Sequence, residues 1–453
     1  MKATASSSSN TANTDTPMPQ LALPDPIVST TPGTWAYDTM NRRVDAEILE
    51  RTWQDNKQVF QQPAFGAVGK KFQALRHELQ NAATTKIAYL DDLPPDASPE
   101  RVKEWREWNE QLLPPLVQAG DTWLSAPWMV TEFYVYRRLM QALDYFNPDS
   151  VAYMYDPFAK QKHAGLVAST GSAEAMLAKI SALSLANTQQ GIALAAGIAL
   201  WGNKMDLSLW PADAANADKD VFSDILGAAK ENLLHNDEAL LAAQCERLRL
   251  QGNGGQVDII VDNAGFELIT DLALAQYLIQ SGIAETVTFQ LKSHPTFVSD
   301  ALEKDLVEHV EHYAALDAAQ YPAAQAAGVL WKEYLATGRW KCVQDAFWVQ
   351  PFAMWSMTEP LRTDMATRCD LAFVKGDANY RRLLGDRVWD YTAPFQDVVG
   401  AYFPCPVCAL RTLKAEIGCG MDADQVERAK QLDDNWMVNG RFGVVQFGQG
   451  APK

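Results

Sequence analysis

Three short stretches place chemically capable side chains directly after apolar, β-branched runs. VDIIVDNAG (257–265) ends in Asp262-Asn263 and a glycine. ETVTFQLK (285–292) is followed by SHPTFVSD, which delivers Asp300. CDLAFVKGD (369–377) ends in Lys375-Gly376-Asp377. Two carboxylates and an amide carbonyl form a hard-oxygen set that suits Mg²⁺ or Mn²⁺ rather than zinc. A lysine at a neighbouring strand end neutralises phosphate oxygens, and Gly376 lets the backbone approach a bound group closely. The chemistry indicated is phosphate handling around a divalent cation. The plainer reading is that Asp-Asn after a strand is only a turn capping the next helix. What separates the two is whether the three strand ends converge.

Convergence depends on the elements that carry these residues. FELITDLALAQYLIQSG (266–282) reads as a helix closed by Gly282. ALEKDLVEHVEHYAALDAAQ (301–320) and NYRRLLGD (379–386) read as further helices. Strand alternating with helix predicts a mainly parallel sheet with helices on both faces, a three-layer α/β sandwich. In such a sheet, ligands gather at the carboxyl ends of the strands. Upstream the period is helical: 43–60, 99–116, 128–146, 169–186 and 218–248 all carry apolar residues at three- and four-residue spacing. The expected organisation is a Ser/Thr/Asn/Pro-rich disordered tail over 1–33, a helical domain over 34–245, and an α/β domain over 246–453. No internal repeat is evident.

Composition narrows the function classes. The 453 residues are 47% apolar and 21% charged, enough for a sizeable core. A formal net charge of −17 argues against nucleic acid or anionic lipid as partner. It also repels phosphorylated metabolites, so a metal and a few cations must reverse the field locally. The longest apolar run, IALAAGIALW (192–201), is too short to cross a bilayer, and the N-terminus carries no apolar leader. Six cysteines in so long a chain fit reduced thiols and a cytoplasmic location.

Other motifs carry less. Cys405-Pro-Val-Cys408 with Cys419 has half of a zinc-site spacing but lacks a fourth ligand, and buried thiols are the better reading. Gly252-Asn-Gly-Gly255 precedes a strand, whereas a phosphate loop follows one, so it reads as a connection. His294 is a candidate acid or base but more ordinarily a bystander. Glu132 and Arg137-Arg138 read as half-buried ion pairs supporting a helical bundle.

The segments VDNAGFELITDLALA, HPTFVSD, KGDANYRRLLGD and LRTLKAE together resemble the damage-control phosphatases, formerly a family of unknown function. Arg411-Thr412-x-Lys414 resembles the RTxK signature of its subfamily III, which includes sugar-phosphate phosphatases and a protein also described as an acidic-residue methyltransferase. APWMVTEFYVYRR (126–138) and LWGNKMDLSL (200–209) extend the resemblance, which runs from about residue 40 to about 420. It implies that Asp262, Asn263 and Asp300 ligate the metal. Lys375, Gly376, Asp377, Ala378, Asn379 and Lys414 would bind substrate, with Asp262 and Asn263 touching it through the phosphate. Asp262 and Lys375 would be catalytic. Ala378 departs from the larger apolar residue expected there. Glu132, Arg137, Arg138, Asn203 and Asp206 would edge the substrate pocket. The implied substrates are small phosphorylated metabolites, hexose phosphates such as fructose 1-phosphate or fructose 6-phosphate. The implied cofactor is Mn²⁺ or Mg²⁺, with Co²⁺ or Ni²⁺ as further candidates.

Two competing functions are an S-adenosylmethionine-dependent protein-glutamate methyltransferase and a non-catalytic metabolite-binding protein. Against the first, VDNAGFE offers one glycine where a cofactor turn needs several. Against the second, the oxygen-ligand trio is intact.

Overall fold

The computed structural model describes residues 17–94, 97–183, 185, 188–202, 227 and 230–451. Asn203 and Asp206 lie outside them. The centre of the fold is a seven-stranded sheet: β1 (Leu233–Asn236), β2 (Gly255–Ile260), β3 (Ala284–Leu291), β4 (Trp340–Gln344), β5 (Leu371–Lys375), β6 (Val407–Thr412) and β7 (Gly443–Gly448). The spatial order is β1-β7-β6-β5-β2-β3-β4. All neighbours pair in parallel except β6 with β7, so β1 and β7 run opposite to the other five.

Strand parity explains how the sheet is buried on both faces. In β2 and β5, Val257, Ile259, Leu371 and Phe373 face one core, while Ile260, Ala372 and Val374 face the other. The first core is covered by α2 (Ala159–Ala168), α3 (Thr170–Ser181), α4 (Thr188–Trp201), α5 (Glu238–Leu250), α6 (Phe266–Gln280), α7 (Glu303–Ala314) and α8 (Pro322–Ala336). The second is covered by α1 (Trp128–Ala142), the helices before it, and α9 (Asp377–Leu383). The expected three-layer α/β architecture is present. No described helix is long and apolar enough to cross a membrane.

Several boundaries differ from expectation. Part of the stretch expected to be a disordered tail is ordered: residues 17–33 lie along the body, with Ile27 N donating to Asp386 O (2.9 Å) and Ser29 N to Leu124 O (3.0 Å). Backbone pairing, unseen in composition, orders it. A boundary at 245/246 would cut through α5, and α2–α4 belong to the sheet's own core rather than to a separate helical domain. Within 218–248, expected to form one or two helices, Leu233–Asn236 is instead an edge strand held by β7.

The chain passes β2 to β3 to β4 in one direction, then places β5 and β6 on the other side of β2. The order reverses between β2 and β5, and a crevice opens at such a switch point. Asp262 lies two residues beyond the end of β2, and Gly376 directly follows β5.

Candidate metal and phosphate site

At the switch point Asp262 is 6% exposed and Asp300 1%. The loop that delivers Asp300 folds back onto the loop after β2. Asn263 and Asp300 pair as an isolated antiparallel bridge, Ala301 N donates to Asp262 O (2.8 Å), and Ala264 N donates to Ser299 O (2.7 Å). The three residues expected to ligate a metal are thus brought together.

Their electrostatics are unsettled. Asp262 Oδ1 and Asp300 Oδ2 accept no hydrogen bond from a described residue. Burial raises the Asp262 carboxyl well above the usual range, and the charges of Asp300 and Glu267 raise it further. Burial likewise pushes Asp300 up to about 6, against the pull of Lys292, whose ammonium lies 3.4 Å from Asp300 Oδ2. Asn263 donates its Nδ2 to Asp262 Oδ2 (2.9 Å) and Glu267 Oε2 (2.8 Å), while its Oδ1 accepts from Ser299 Oγ (2.5 Å). As placed, the Asn263 amide nitrogen faces Asp262, so its carbonyl reaches a cation only by sharing or leaving Ser299.

Gly376 is required by Asp262. Its φ is +81°, and a Cβ there would meet Asp262 Oδ2 at 1.9 Å. Glycine serves here to seat a carboxylate, not, as the sequence suggested, to admit a ligand.

Lys375 is not where strand-end position implied. It has the parity of Leu371 and Phe373, so its side chain enters the core beneath α6 and α4. There Nζ lies 2.7 Å from Asp271 Oδ1 and 3.7 Å from Glu267 Oε1, and donates to Ala199 O at 2.5 Å. Burial acts to lower its pKa, but the two carboxylates outweigh that and raise it. This lysine is spent on the protein. The cation beside Asp262 and Asp300 is Lys292, missed in the sequence although it ends ETVTFQLK. Ile260 pairs with Gln290 across β2 and β3, and Asp262 and Lys292 lie two residues further along each chain. Burial lowers the Lys292 pKa against the pull of Asp300, and Asn379 Oδ1 lies 3.5 Å from its Nζ.

The KGDAN loop and the RTxK strand are mutually braced. Asn379 Nδ2 donates to Val261 O (3.1 Å) and Lys375 O (3.0 Å), fastening the end of β2 to that of β5. Asp377 Oδ1 accepts from Arg411 Nε (2.7 Å) and Lys414 N (3.1 Å), so its carboxylate is a brace. Arg411 is fully buried and also donates to Ile417 O and Ala415 O. Lys414 is half-buried, and its charge lowers the Asp262 pKa. Ala378 sits half-buried in the first turn of α9.

Beside Asn263 opens a cleft of about 300 Å³, lined by Lys162, Gly165, Gly202, Gly265, Glu267 and Val298 among others. Lys162, also missed, is buried between Asp305 (2.7 Å) and Asp156 (3.2 Å). His309 receives the Gly265 N–H on Nε2 (2.9 Å) and fixes the turn into α6.

The remaining candidates are placed elsewhere. His294 Nε2 faces Glu104 (3.5 Å), with its ring against Phe146 and Tyr145. Glu132 pairs with Arg381 (2.5 Å), Arg137 with Glu104 (2.7 Å) and Arg138 with Glu78 (2.9 Å), as in a braced bundle. Cys405 and Cys419 belong to one core and Cys408 to the other, so the half-site does not converge.

Among the described residues no three His, Cys, Asp or Glu side chains converge as a metal centre. The Asp-Asn-Asp set is of another kind, and it fits a hard cation on two grounds. Two buried carboxylate oxygens lack donors. A divalent ion beside Asp262 and Asp300 would also favour their ionised forms, which burial otherwise disfavours.

Comparison with known proteins places this geometry in a family. The model of the damage-control phosphatase ARMT1-like domain matches residues 40–429. Damage-control phosphatase ARMT1 of Danio rerio is 34% identical over 391 residues, covering 82% of this chain and 83% of that protein. The Mus musculus protein of the same name is 31% identical, covering 92% and 96%. A DUF89 family protein of solved structure from Pyrococcus horikoshii aligns over 90% of this chain and 98% of its own, at 14% identity and a TM-score of 0.44. From the matched domain and the extent of similarity, this chain belongs to the family of damage-control phosphatases with an ARMT1-like domain.

Proposed function

We propose that the chain is a cytoplasmic, metal-dependent phosphomonoester hydrolase acting on small phosphorylated metabolites, with hexose phosphates such as fructose 1-phosphate or fructose 6-phosphate as preferred substrates. The observation that carries this is the meeting of the buried Asp262 and Asp300 carboxylates at the sheet's switch point, Asp262 Oδ1 having no donor among the described residues, in a chain of a phosphatase family. Asp262, Asn263 and Asp300 would hold Mn²⁺ or Mg²⁺. The cation supplies positive charge to polarise phosphoryl oxygens, the dominant need in so slow a hydrolysis.

The chain's own residues do the rest. Lys292 balances the ligand carboxylates from beneath. Lys414, half-buried and felt electrostatically at Asp262, would meet phosphate oxygens. Gly376 and Asn379 fix the rim against which the carboxylates are set. The cleft beside Asn263 is at the small end of ligand-sized cavities, in keeping with a sugar phosphate. Lys375, first expected at the phosphate, is assigned instead to holding Asp271 and Glu267.

The test is a screen of phosphorylated metabolites for phosphate release, with Mn²⁺ or Mg²⁺ and with chelator. Release that needs the metal and is greatest on hexose phosphates is expected; equal release under chelation would defeat the reading. The same protein with labelled S-adenosylmethionine and acidic protein substrates should gain no methyl groups.

A further inference from the structure

The turn that delivers Asp300 stands in an unfavourable backbone conformation. Phe297 and Val298 have φ of +51° and +62°, two consecutive non-glycine residues in the left-handed region, one of them β-branched. Ser299 N closes the turn on Phe297 O at 2.6 Å. Such a turn persists only where its surroundings hold it.

What holds it comes from the helical layer. The Phe297 ring packs edge-on against Phe133, centroids 4.7 Å apart, and against Tyr136 at 5.1 Å, both on α1. Both partners are buried, and the half-buried Phe297 ring packs onto that core. Directly after the turn, Ser299 bonds Asn263 through its hydroxyl and Ala264 through its carbonyl, and Asp300 follows. The left-handed pair therefore sets the position of two of the three expected ligands. Val298 also lines the cleft.

We infer that Phe297 is a positioning residue: seated between Phe133 and Tyr136, it holds the Phe297-Val298 turn left-handed and so presents Asp300 and Asn263 to the metal. This rests on the reading of Asp262, Asn263 and Asp300 as metal ligands. Without the ring, a valine at 298 relaxes toward negative φ and carries Ser299 and Asp300 with it. A glycine at 298 takes the left-handed conformation without strain and needs the seat less.

The experiment is titration calorimetry of Mn²⁺ into the metal-free full chain, with thermal unfolding of each variant alongside. Phe297→Ala should weaken Mn²⁺ binding at least tenfold in a folded protein. Val298→Gly alone is the reference against which recovery in the double variant is read. The double variant should recover a substantial part of the lost affinity, although the cavity left by the ring remains. Simple loss of core packing could not be mended by a glycine at the next position. Should Phe297→Ala fail to fold, Phe297→Leu replaces it, with a smaller loss and the same recovery expected. Parent-like affinity in a folded Phe297 variant, or no recovery with glycine, overturns the clamp alone. A parent that binds no Mn²⁺ overturns the ligand assignment and the clamp with it.

Discussion

Gly376 and Asp262 compete for one volume: a methyl group on the glycine would sit 1.9 Å from the aspartate's Oδ2. The two residues come from separate strands, β5 and β2, that are neighbours only where the strand order turns round. Gly376→Ala therefore adds a left-handed alanine, about 1 kcal/mol by itself, to a displaced carboxylate. The expected result is a folded protein with Tm lowered by a few degrees and Mn²⁺ affinity down at least tenfold. Calorimetry and thermal unfolding of one preparation check both.

Asp262→Ala should abolish metal-dependent phosphate release, by a factor of about a thousand or more, without loss of the fold. Removing a buried carboxylate whose charge is opposed by Asp300 and Glu267 also relieves repulsion, so the metal-free variant should melt no lower than the parent. Asp300→Asn should abolish release as well, but it leaves the buried Lys292 ammonium without its nearest carboxylate, so this variant should melt lower. Turnover at the parent rate in either variant would refute the site.

Lys375 and Asp271 form a buried pair 2.7 Å apart. Breaking such a pair by removing one partner costs about 3–5 kcal/mol, whereas replacing both with apolar side chains can be near neutral. Lys375→Met should thus destabilise strongly, and adding Asp271→Leu should restore most of the loss. Denaturant unfolding of the two single variants and the double variant measures it. A lysine serving the phosphate would show the reverse pattern, with stability kept and turnover lost.

Acidity should couple to metal binding. Asp300 is held at about 6 by burial, above its ordinary 3.8. The folded, metal-free protein therefore binds a proton more tightly than the unfolded chain does. Its stability should fall as pH rises from about 4 through 6, by an amount on the order of 2 kcal/mol. A cation needs the ionised carboxylates, so Mn²⁺ affinity should rise over the same interval and further as Asp262, also raised by burial, ionises. The Tm difference between Mn²⁺-loaded and metal-free protein should widen from pH 5 to pH 7. A gap that narrows would contradict the shift.

That Asp262, Asn263 and Asp300 meet was legible because strand ends are local signals: β-branched runs closing on Asp262-Asn263, and a short loop ending in Asp300. The direction of a strand-end side chain is not local. Lys375 and Lys292 look alike in the sequence, yet pleat parity sends one beneath α6 and the other to Asp300. Glu267 and Asp271 were hidden because a buried carboxylate on an apolar helix means little until its lysine is known. Of the seven strands, β1, β4, β6 and β7 escaped reading as strands. β1 is four residues long and is secured by a partner two hundred residues away, so helical neighbours masked it.

That remote pairing governs how the molecule can be made. β7 is wedged between β6 and β1, and β1 has no other neighbour in the sheet. During synthesis Leu233–Asn236 must wait, with half of its backbone groups unmatched, until Gly443–Gly448 leaves the ribosome. The β1 edge of the sheet therefore cannot form before β7 is made, and loss of Gly443–Gly448 would leave β6 as an open edge.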